Sequence, residues 1–369
     1  MSKNLLGVAA FKLLPASTYI DAPASKNSEK LHMKAREGDH IETLDGNIFD
    51  VKGLVHPRDK VIAFIRFTPD SKGERKKGNL RYRKVYPLHE RYTLLQERVP
   101  QYLVFDAVFN QWLCEVPIEL VIKHYEPTKY LRQLRGKRHL QELEAQALQL
   151  TQLLQKNAAV NWTSLGVSGS LLTGLYKASS DIDLLIYGSR NCEKVYNALT
   201  SLVKEESNHV KSYSAQELKM LFEFRSKDTI MSFEDFVRTE SRKVLQGSFH
   251  QRDYFVRCVK EWSEISEHYG SVLYEPLGDA KISATITNDS QMIFTPCIYS
   301  IGDVKLLEGV KVEPLSEIAS FRGRFCEQAR VGEKVIACGK VERVKKRVEE
   351  EHFRLLLGNK ASDYMIRAE

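Results

Sequence analysis

The sequence lacks several motifs that would assign a function directly. It contains no P-loop, no G-x-G-x-x-G segment and no H-E-x-x-H, which excludes the usual signatures of P-loop NTPases, dinucleotide-binding folds and zinc peptidases. No run of about 18 uncharged apolar residues occurs, so no membrane-spanning helix is expected. The 6 cysteines are scattered, without a C-x-x-C pair or a Cys/His spacing typical of zinc. These absences predict a cytoplasmic protein with reduced thiols.

A strong excess of charge is also missing. The net charge of +7 over 369 residues is compatible with a polyanionic partner but does not require one. The basic residues are nevertheless grouped in two segments, 72–84 and 132–138. Such segments either follow the backbone of RNA or DNA, with Tyr82 of the first stacking on a base, or are charged loops in solvent. Together they favour a nucleic-acid acceptor.

The hydrophobic pattern changes character along the chain. Residues 1–33 are expected to form a disordered extension, and alternating apolar residues predict an N-terminal β-rich domain over residues 34–130. Helically spaced leucines then begin an α/β domain with helical insertions over residues 131–270. Short strands separated by Gly, Asp and Pro predict a small β-barrel-like domain over residues 271–369. The predicted fold class is α+β, with a central α/β domain flanked by two β-rich domains.

Two aspartates interrupt the apolar segment D-I-D-L-L-I-Y-G, which otherwise has the pattern of a buried strand. In a strand, Asp181 and Asp183 point to the same side, roughly 6–7 Å apart. Two carboxylates at that distance repel each other by about 2–3 kcal/mol, and a hard divalent cation removes this penalty. The pair therefore predicts a metal site, unless Asp181 caps the strand at the surface and Asp183 alone points inward.

A glycine and a serine precede this pair, where a short strand passes into a short helix. Gly169 allows an anion to approach the backbone, and the Ser170 hydroxyl can donate a hydrogen bond to it. The ten residues between Ser170 and Asp181 suffice for a short helix and a return to the neighbouring strand. A phosphate site and a cation pair would then lie side by side, as a metal-bound NTP requires.

The combined pattern, V-S-G-S followed by ten residues and D-I-D-L, resembles the DNA polymerase β-like nucleotidyltransferase superfamily. It is also similar to uncharacterised archaeal proteins predicted to be nucleotidyltransferases. The resemblance implies a polymerase β-type central domain in which Asp181 and Asp183 hold two Mg²⁺ ions. It further implies that Gly169 and Ser170 bind the phosphates of an NTP such as ATP, and that an acceptor displaces pyrophosphate.

Members of this superfamily usually have a third carboxylate on a later strand, which acts as a base and as a ligand of the catalytic metal. The first candidate is Asp253, at the start of the apolar segment R-D-Y-F-V-R-C-V, and the second is Glu261 at its other end. Asp253 is otherwise a turn residue at the entry to that strand.

Four cations are candidate phosphate contacts, namely Lys177, Arg252, Arg257 and Lys260. Arg257 would share a strand face with Phe255, and an inward arginine needs an anionic partner. That partner is either a triphosphate or a structural salt bridge.

These features predict a Mg²⁺-dependent nucleotidyltransferase that acts on an unidentified acceptor. If no third carboxylate reaches the metals, the alternative is a catalytically impaired protein that binds nucleotide or RNA in a regulatory role. A third hypothesis is an RNA-binding scaffold formed by the flanking β-domains, which would bind RNA independently of Asp181 and Asp183.

Overall fold

The first part of the described chain forms an eight-stranded sheet with one helix, α1 (Leu88–Arg98). The computed structural model describes residues 33–346 and 351–368, so the extension predicted for residues 1–33 lies almost wholly outside the described residues. The strand order is β4-β5-β3-β2-β1-β8, and β7 pairs with β3 and carries β6 on its other side. The strands are β1 (His40–Thr43), β2 (Ile48–Val51), β3 (Lys60–Pro69), β4 (Arg75–Lys77), β5 (Leu80–Lys84), β6 (Leu103–Asp106), β7 (Gln111–Pro117) and β8 (Val121–Tyr125).

The middle of the chain forms a five-stranded sheet with the order β11-β12-β13-β10-β9. Near its centre, β10 pairs in parallel with β13 along its whole length and antiparallel with β9 at Leu184, Leu185 and Ile186, which therefore have a strand on either side. A central strand buried on both sides explains the nearly continuous apolar run after Asp183. The strands are β9 (Leu165–Val167), β10 (Ile182–Tyr187), β11 (Val210–Lys211), β12 (Gln246–Phe249) and β13 (Arg252–Val259).

Six helices accompany this central sheet. Ser214 caps one of them, since its hydroxyl accepts from the Glu217 N–H while the Glu217 carboxylate accepts from the Ser214 N–H. The helices are α2 (Pro127–Gly136), α3 (Glu142–Ala158), α4 (Gly169–Thr173), α5 (Ser189–Leu202), α6 (Ala215–Arg225) and α7 (Phe233–Glu240).

The last part of the described chain forms a six-stranded sheet with the order β14-β15-β16-β18-β17-β19. Because β14 also pairs with β17, five of these strands close into a ring, which is the connectivity of a small barrel. The strands are β14 (Val272–Gln291), β15 (Cys297–Gly309), β16 (Leu315–Ser320), β17 (Lys334–Lys346), β18 (His352–Leu357) and β19 (Tyr364–Arg367).

Residues 35–369 form one compact unit, in which the central and C-terminal sheets share a core. One cluster of buried apolar side chains extends from α2 and α3 through β10 and β13 into β14–β19. An isolated bridge between Cys258 and Phe294 joins β13 to the loop between β14 and β15. The α+β class predicted from the sequence is confirmed. Among the helices of the described residues, none has the length and apolarity needed to cross a membrane.

Candidate active site

Asp181 and Asp183 both line a large cavity of about 910 Å³. Asp181 directly precedes β10 and Asp183 is the second residue of that strand, so both side chains point to one face of the sheet. Burial, and after it the neighbouring Asp181 carboxylate, raises the pKa of Asp183 to about 7. A carboxylate whose ionisation is disfavoured in this way by burial and by a neighbouring carboxylate belongs to a site that a cation would stabilise.

Asp253 lines the same cavity as the aspartate pair. In the parallel pairing of β10 with β13, Asp183 lies opposite Phe255, which brings Asp253 to the end of the sheet where Asp181 lies. Burial, followed by the charges of Asp181 and Glu217, raises the pKa of Asp253. Asp253 is therefore close enough to Asp181 for the charge of that carboxylate to raise the pKa of Asp253.

Glu261, the other candidate for the third carboxylate, lies beyond the opposite end of β13. Eight residues of extended chain separate it from Asp253, a distance of roughly 26 Å. Its carboxylate forms an ion pair with Arg36, at 3.0 Å. The structure therefore brings Asp253, and not Glu261, to the aspartate pair.

The Gly-Ser segment lies directly against Asp183. The Ser168 N–H donates to the Asp183 carbonyl at 2.8 Å, and Gly169 follows with a φ of +61°. A Cβ at Gly169 would stand 1.9 Å from Asp183 Oδ2, so only glycine leaves room for this carboxylate. The Ser170 hydroxyl is buried and has no hydrogen-bond partner in the structure. Close backbone approach and an unpartnered buried hydroxyl are what a bound phosphate would use.

The four candidate phosphate contacts occupy different environments. Arg257 and Lys260 line the cavity, whereas Lys177 is not on its wall and pairs with Glu74 at 3.2 Å. Arg257 forms a salt bridge with the buried Glu37, which is the alternative to a triphosphate partner that the sequence left open.

Arg252 holds the loop that leads into the aspartate pair. Its guanidinium donates to the carbonyls of Ala178 and, at 3.0 Å, Ser180. The Ser180 hydroxyl in turn accepts from the Lys177 N–H at 2.9 Å. These bonds fix the chain immediately before Asp181, so Arg252 acts on the position of that residue.

The sequence did not single out several residues that line the cavity from other elements. The N-terminal sheet and α1 contribute Arg66, Lys84 and Arg91, and the helical insertions contribute Tyr213 and Arg225. Lys84 was visible only as one cation of the 72–84 segment, although its alternation with the buried Tyr82 was a usable signal. Among the described residues that line the cavity, thirteen are Lys or Arg and seven are Asp or Glu, which suits a strongly anionic ligand.

The basic segment 72–84 forms the hairpin β4–β5, and most of its cations have partners within the protein. Arg75 is buried and donates to the Leu175 carbonyl. Lys77 pairs with Glu42 at 2.9 Å, and Arg83 with Glu90 at 3.3 Å. In the 132–138 segment, Lys137 pairs with Glu144 and Arg135 lies over the Trp162 ring, at 2.7 and 3.8 Å.

The carboxylates fit a hard divalent cation, although they do not form a closed metal cage. Within residues 33–346 and 351–368, no group of three or more His, Cys, Asp or Glu side chains is assembled closely enough to hold a metal. Mg²⁺ typically takes one or two carboxylates and completes its shell with water and substrate phosphates. Asp181 and Asp183, beside Gly169 and Ser170, are a donor set of that kind.

Comparison with known proteins agrees with this arrangement. A family model for the nucleotidyltransferase domain matches residues 149–239, which contain Gly169, Ser170, Asp181 and Asp183. An uncharacterised protein of Methanocaldococcus jannaschii is 33% identical over 334 residues, which cover 88% of this chain and 96% of that relative. No solved structure matches the chain. The resemblance predicted from the sequence is confirmed.

Proposed function

Because this chain belongs to the nucleotidyltransferase family, we propose that it transfers a nucleotide from an NTP to an acceptor in a Mg²⁺-dependent reaction that releases pyrophosphate. The observation that carries this proposal is the aspartate pair, which lies on the wall of one large cation-rich cavity and whose Asp183 lies against the Gly169 backbone. A bound metal would explain why two acids stand at the start of a buried strand, and the glycine would explain how a phosphate approaches them.

Asp181 and Asp183 would hold the metal ions, and Gly169 and Ser170 would bind the β- and γ-phosphates. Bound Mg²⁺ supplies charge neutralisation of the triphosphate and lowers the pKa of the attacking hydroxyl. The protein's own contribution is to orient the triphosphate through the Gly169 backbone and the Ser170 hydroxyl, which is otherwise unpartnered.

Asp253 is the proposed general base. The acceptor oxygen forms a bond to the α-phosphorus, its proton passes to the Asp253 carboxylate, and the bond from the α-phosphorus to the oxygen of the β-phosphate breaks. The raised pKa of Asp253 suits this role, because a base with a pKa nearer the working pH accepts a proton more readily.

A second candidate function is a nucleotide-binding protein that does not transfer. It is favoured by the hydrogen bond from Tyr213 to Asp253, which engages the third carboxylate, and by the open arrangement of the acids. This candidate predicts NTP binding without release of pyrophosphate.

The test is incubation of the full chain with each α-labelled NTP, Mg²⁺ and separate cellular fractions of RNA, protein and small metabolites. We expect labelled product and pyrophosphate in one fraction, both lost in Asp183→Asn. Binding of NTP without pyrophosphate in any fraction would favour the second candidate. Transfer that survives unchanged in Asp183→Asn would overturn the proposed site.

A further inference from the structure

Three cations on one wall of the cavity have no acidic partner. Arg66 lies on β3, Lys84 ends β5 and Arg91 lies on α1, and all three line the cavity. Among the described residues, none forms an ion pair with these three side chains. The Nε of Arg91 is buried without any hydrogen-bond partner. We call Arg66, Lys84 and Arg91 the cation cluster.

The positive charge of Arg66 disfavours the charged forms of the other two members of the cation cluster. Burial, and after it Arg66, lowers the pKa of Arg91 to about 10. Burial and Arg66 also lower the pKa of Lys84, although Asp181 and Asp183 oppose this shift. Partly buried like charges that are held together require an anion for compensation.

The neighbouring arginines differ from the cation cluster in that each of them has an acidic partner. Arg322 and Arg324 pair with Asp228 at 2.7 and 2.8 Å, and Arg225 pairs with Glu240 at 2.6 Å. Arg66, Lys84 and Arg91 therefore differ from these arginines in having no ion-pair partner among the described residues.

Tyr86 lies in the positive field of Arg66 and of the neighbouring arginines. Burial alone would raise its pKa, yet the charges of Arg324, Arg66, Arg225 and Arg322 together hold that pKa below its ordinary value. The hydroxyl of Tyr86 therefore stands in a strongly positive field beside the cation cluster, with Arg66 5.1 Å above its ring.

The cation cluster and the Gly-Ser segment lie on opposite sides of the aspartate pair. The Gly-Ser segment follows β9, on one side of β10. On the other side, the Tyr86 ring lies 4.8 Å from Phe224, and the adjacent Arg225 donates to Gln246 of β12 at 2.8 Å. Since Arg66 and Lys84 lie 5.1 and 5.7 Å from the Tyr86 ring, these two members of the cation cluster are on the β13–β12 side of β10, where Asp253 also lies.

This placement indicates the side from which the acceptor attacks. In phosphoryl and nucleotidyl transfer, the attacking oxygen enters roughly in line with the leaving group and opposite to it. If pyrophosphate leaves on the Gly-Ser side, the acceptor enters on the side of Asp253 and the cation cluster.

We propose that Arg66, Lys84 and Arg91 bind the phosphate group of a small phosphomonoester acceptor, whose hydroxyl attacks the α-phosphorus. This inference rests on the proposed function. The cavity of about 910 Å³ lies near the upper end of the range for small-molecule sites, about 300–1,000 Å³. Because Arg75, Lys77 and Arg83 of the hairpin are engaged within the protein, a small acceptor is favoured over a nucleic acid.

The first test is calorimetric titration of inorganic phosphate into the full chain preloaded with Mg²⁺ and an α,β-methylene NTP. We expect phosphate to bind beside the analogue, and the double variant Arg66→Gln/Arg91→Gln to weaken it by about tenfold or more, because charge-assisted hydrogen bonds are lost. Affinity for the analogue should change much less. Lys76→Gln, at an exposed position of β4, is the matched control and should bind phosphate like the unmodified chain.

Competition between phosphate and the analogue, or phosphate binding unchanged in the double variant, would overturn the inference and leave the proposed function standing. Absence of Mg²⁺-dependent analogue binding would instead overturn the proposed function and this inference with it. If the double variant does not fold by near-UV circular dichroism, Lys84→Gln replaces it with the same expected loss of phosphate affinity.

The second test identifies the source of the phosphate. A small-metabolite fraction is treated with phosphatase, which is then removed by filtration before labelled NTP is added. We expect the treatment to abolish labelled product. Product that resists phosphatase treatment, or that appears only in the RNA fraction and is destroyed by ribonuclease, would overturn the inference.

Discussion

Asp183 is the residue at which stability and proposed function conflict. Pairing with β13 holds its backbone in the central sheet, and its carboxylate lies against Gly169 and near the charge of Asp181. Its pKa of about 7, raised by burial first and by Asp181 second, means that ionisation is unfavourable in the metal-free protein. Such conflict is typical of a site selected to bind a ligand and not to stabilise the fold.

Asp183→Asn should therefore stabilise the metal-free protein at about pH 8. A folded-state pKa above the unfolded one makes Asp183 contribute stability at acidic pH, and this contribution is lost as pH rises through about 7. Removing one charge of the pair relieves about 2 kcal/mol of repulsion, which corresponds to a melting temperature about 2–4 °C higher. Differential scanning calorimetry at pH 5 and pH 8 measures the effect.

The difference between variant and unmodified chain should shrink towards pH 5 and reverse when Mg²⁺ and NTP are added, since only the unmodified chain binds them fully. A variant less stable than the unmodified chain at pH 8 without metal would contradict this account of the aspartate pair.

Gly169 and Gly174 have similar backbone conformations. Comparing their alanine variants therefore separates the effect of backbone strain from the effect of contact with Asp183. Gly169 and Gly174 have φ values of +61° and +72°, but a Cβ at Gly174 meets nothing within 4 Å, whereas at Gly169 it meets Asp183 Oδ2 at 1.9 Å. Both alanine variants should lose about 1–2 kcal/mol of stability from the left-handed backbone. Only Gly169→Ala should also lose about a hundredfold or more in transfer, because misplaced catalytic groups are costly.

For the two glycine variants, urea unfolding measures the loss of stability and initial rates measure the loss of transfer. Equal loss of transfer in both variants would show that the backbone of this loop matters and that contact with Asp183 does not.

At the scale of elements, the hairpin β4–β5 reaches across to the loop before the aspartate pair. Arg75 donates to the Leu175 carbonyl, and its guanidinium lies 5.6 Å from the Phe67 ring. The electrostatic attraction of Asp181 for Arg75 places this guanidinium near the proposed site. The hairpin therefore supports the chain between α4 and β10.

Arg75→Gln should loosen that chain without unfolding the protein. We expect faster hydrogen exchange at residues 174–180 and a transfer rate lower by about tenfold, through misplacement of Asp181. The control is Arg81→Gln in the same hairpin, because Arg81 is exposed and donates only to the Gly73 carbonyl, at 3.2 Å. Unchanged exchange at residues 174–180 in Arg75→Gln would contradict the supporting role.

The sequence predicted those elements whose pattern is set by local burial. Alternating acids in an apolar run marked β10, and Asp253 was predicted because it opens an apolar strand. The helix α1 was missed, because its Arg91 and Tyr92 face the cavity and blur the helical stripe that Leu94 and Leu95 would otherwise show. The strands β18 and β19 were also missed.

The cation cluster could not be predicted for a different reason. Arg66, Lys84 and Arg91 come from β3, β5 and α1 of the N-terminal part, and only tertiary packing brings them to the central domain. Their spacing in the sequence carries no sign of this. The basic segment 72–84 did attract attention, but as an exposed surface, whereas the structure turns Arg75 and Lys84 inward.

At the scale of the whole molecule, the central sheet and the C-terminal ring share one hydrophobic core. Buried side chains of β10 and β13 belong to the same cluster as those of β14–β19. The boundary predicted near residue 270 therefore separates sequence patterns and not independent cores.

A chain that ends at residue 270 should fail to form a unique native state. The truncation would expose the apolar face that Phe294, Phe325 and Leu355 cover in the full chain. We expect a weak near-UV circular dichroism signal, binding of the dye ANS and no cooperative thermal transition. Cooperative unfolding of this truncated chain would show that the central domain folds by itself.

The most direct test of the central claim is calorimetric titration of a non-hydrolysable NTP into the full chain, with and without Mg²⁺, alongside the Asp181→Asn/Asp183→Asn variant. The account predicts Mg²⁺-dependent binding to the unmodified chain and an affinity about a hundredfold lower in the variant, since the metal would lose both carboxylate ligands. Equal affinity in the two proteins, or binding that is indifferent to Mg²⁺, would contradict the claim that the aspartate pair and Gly169 form a metal–triphosphate site.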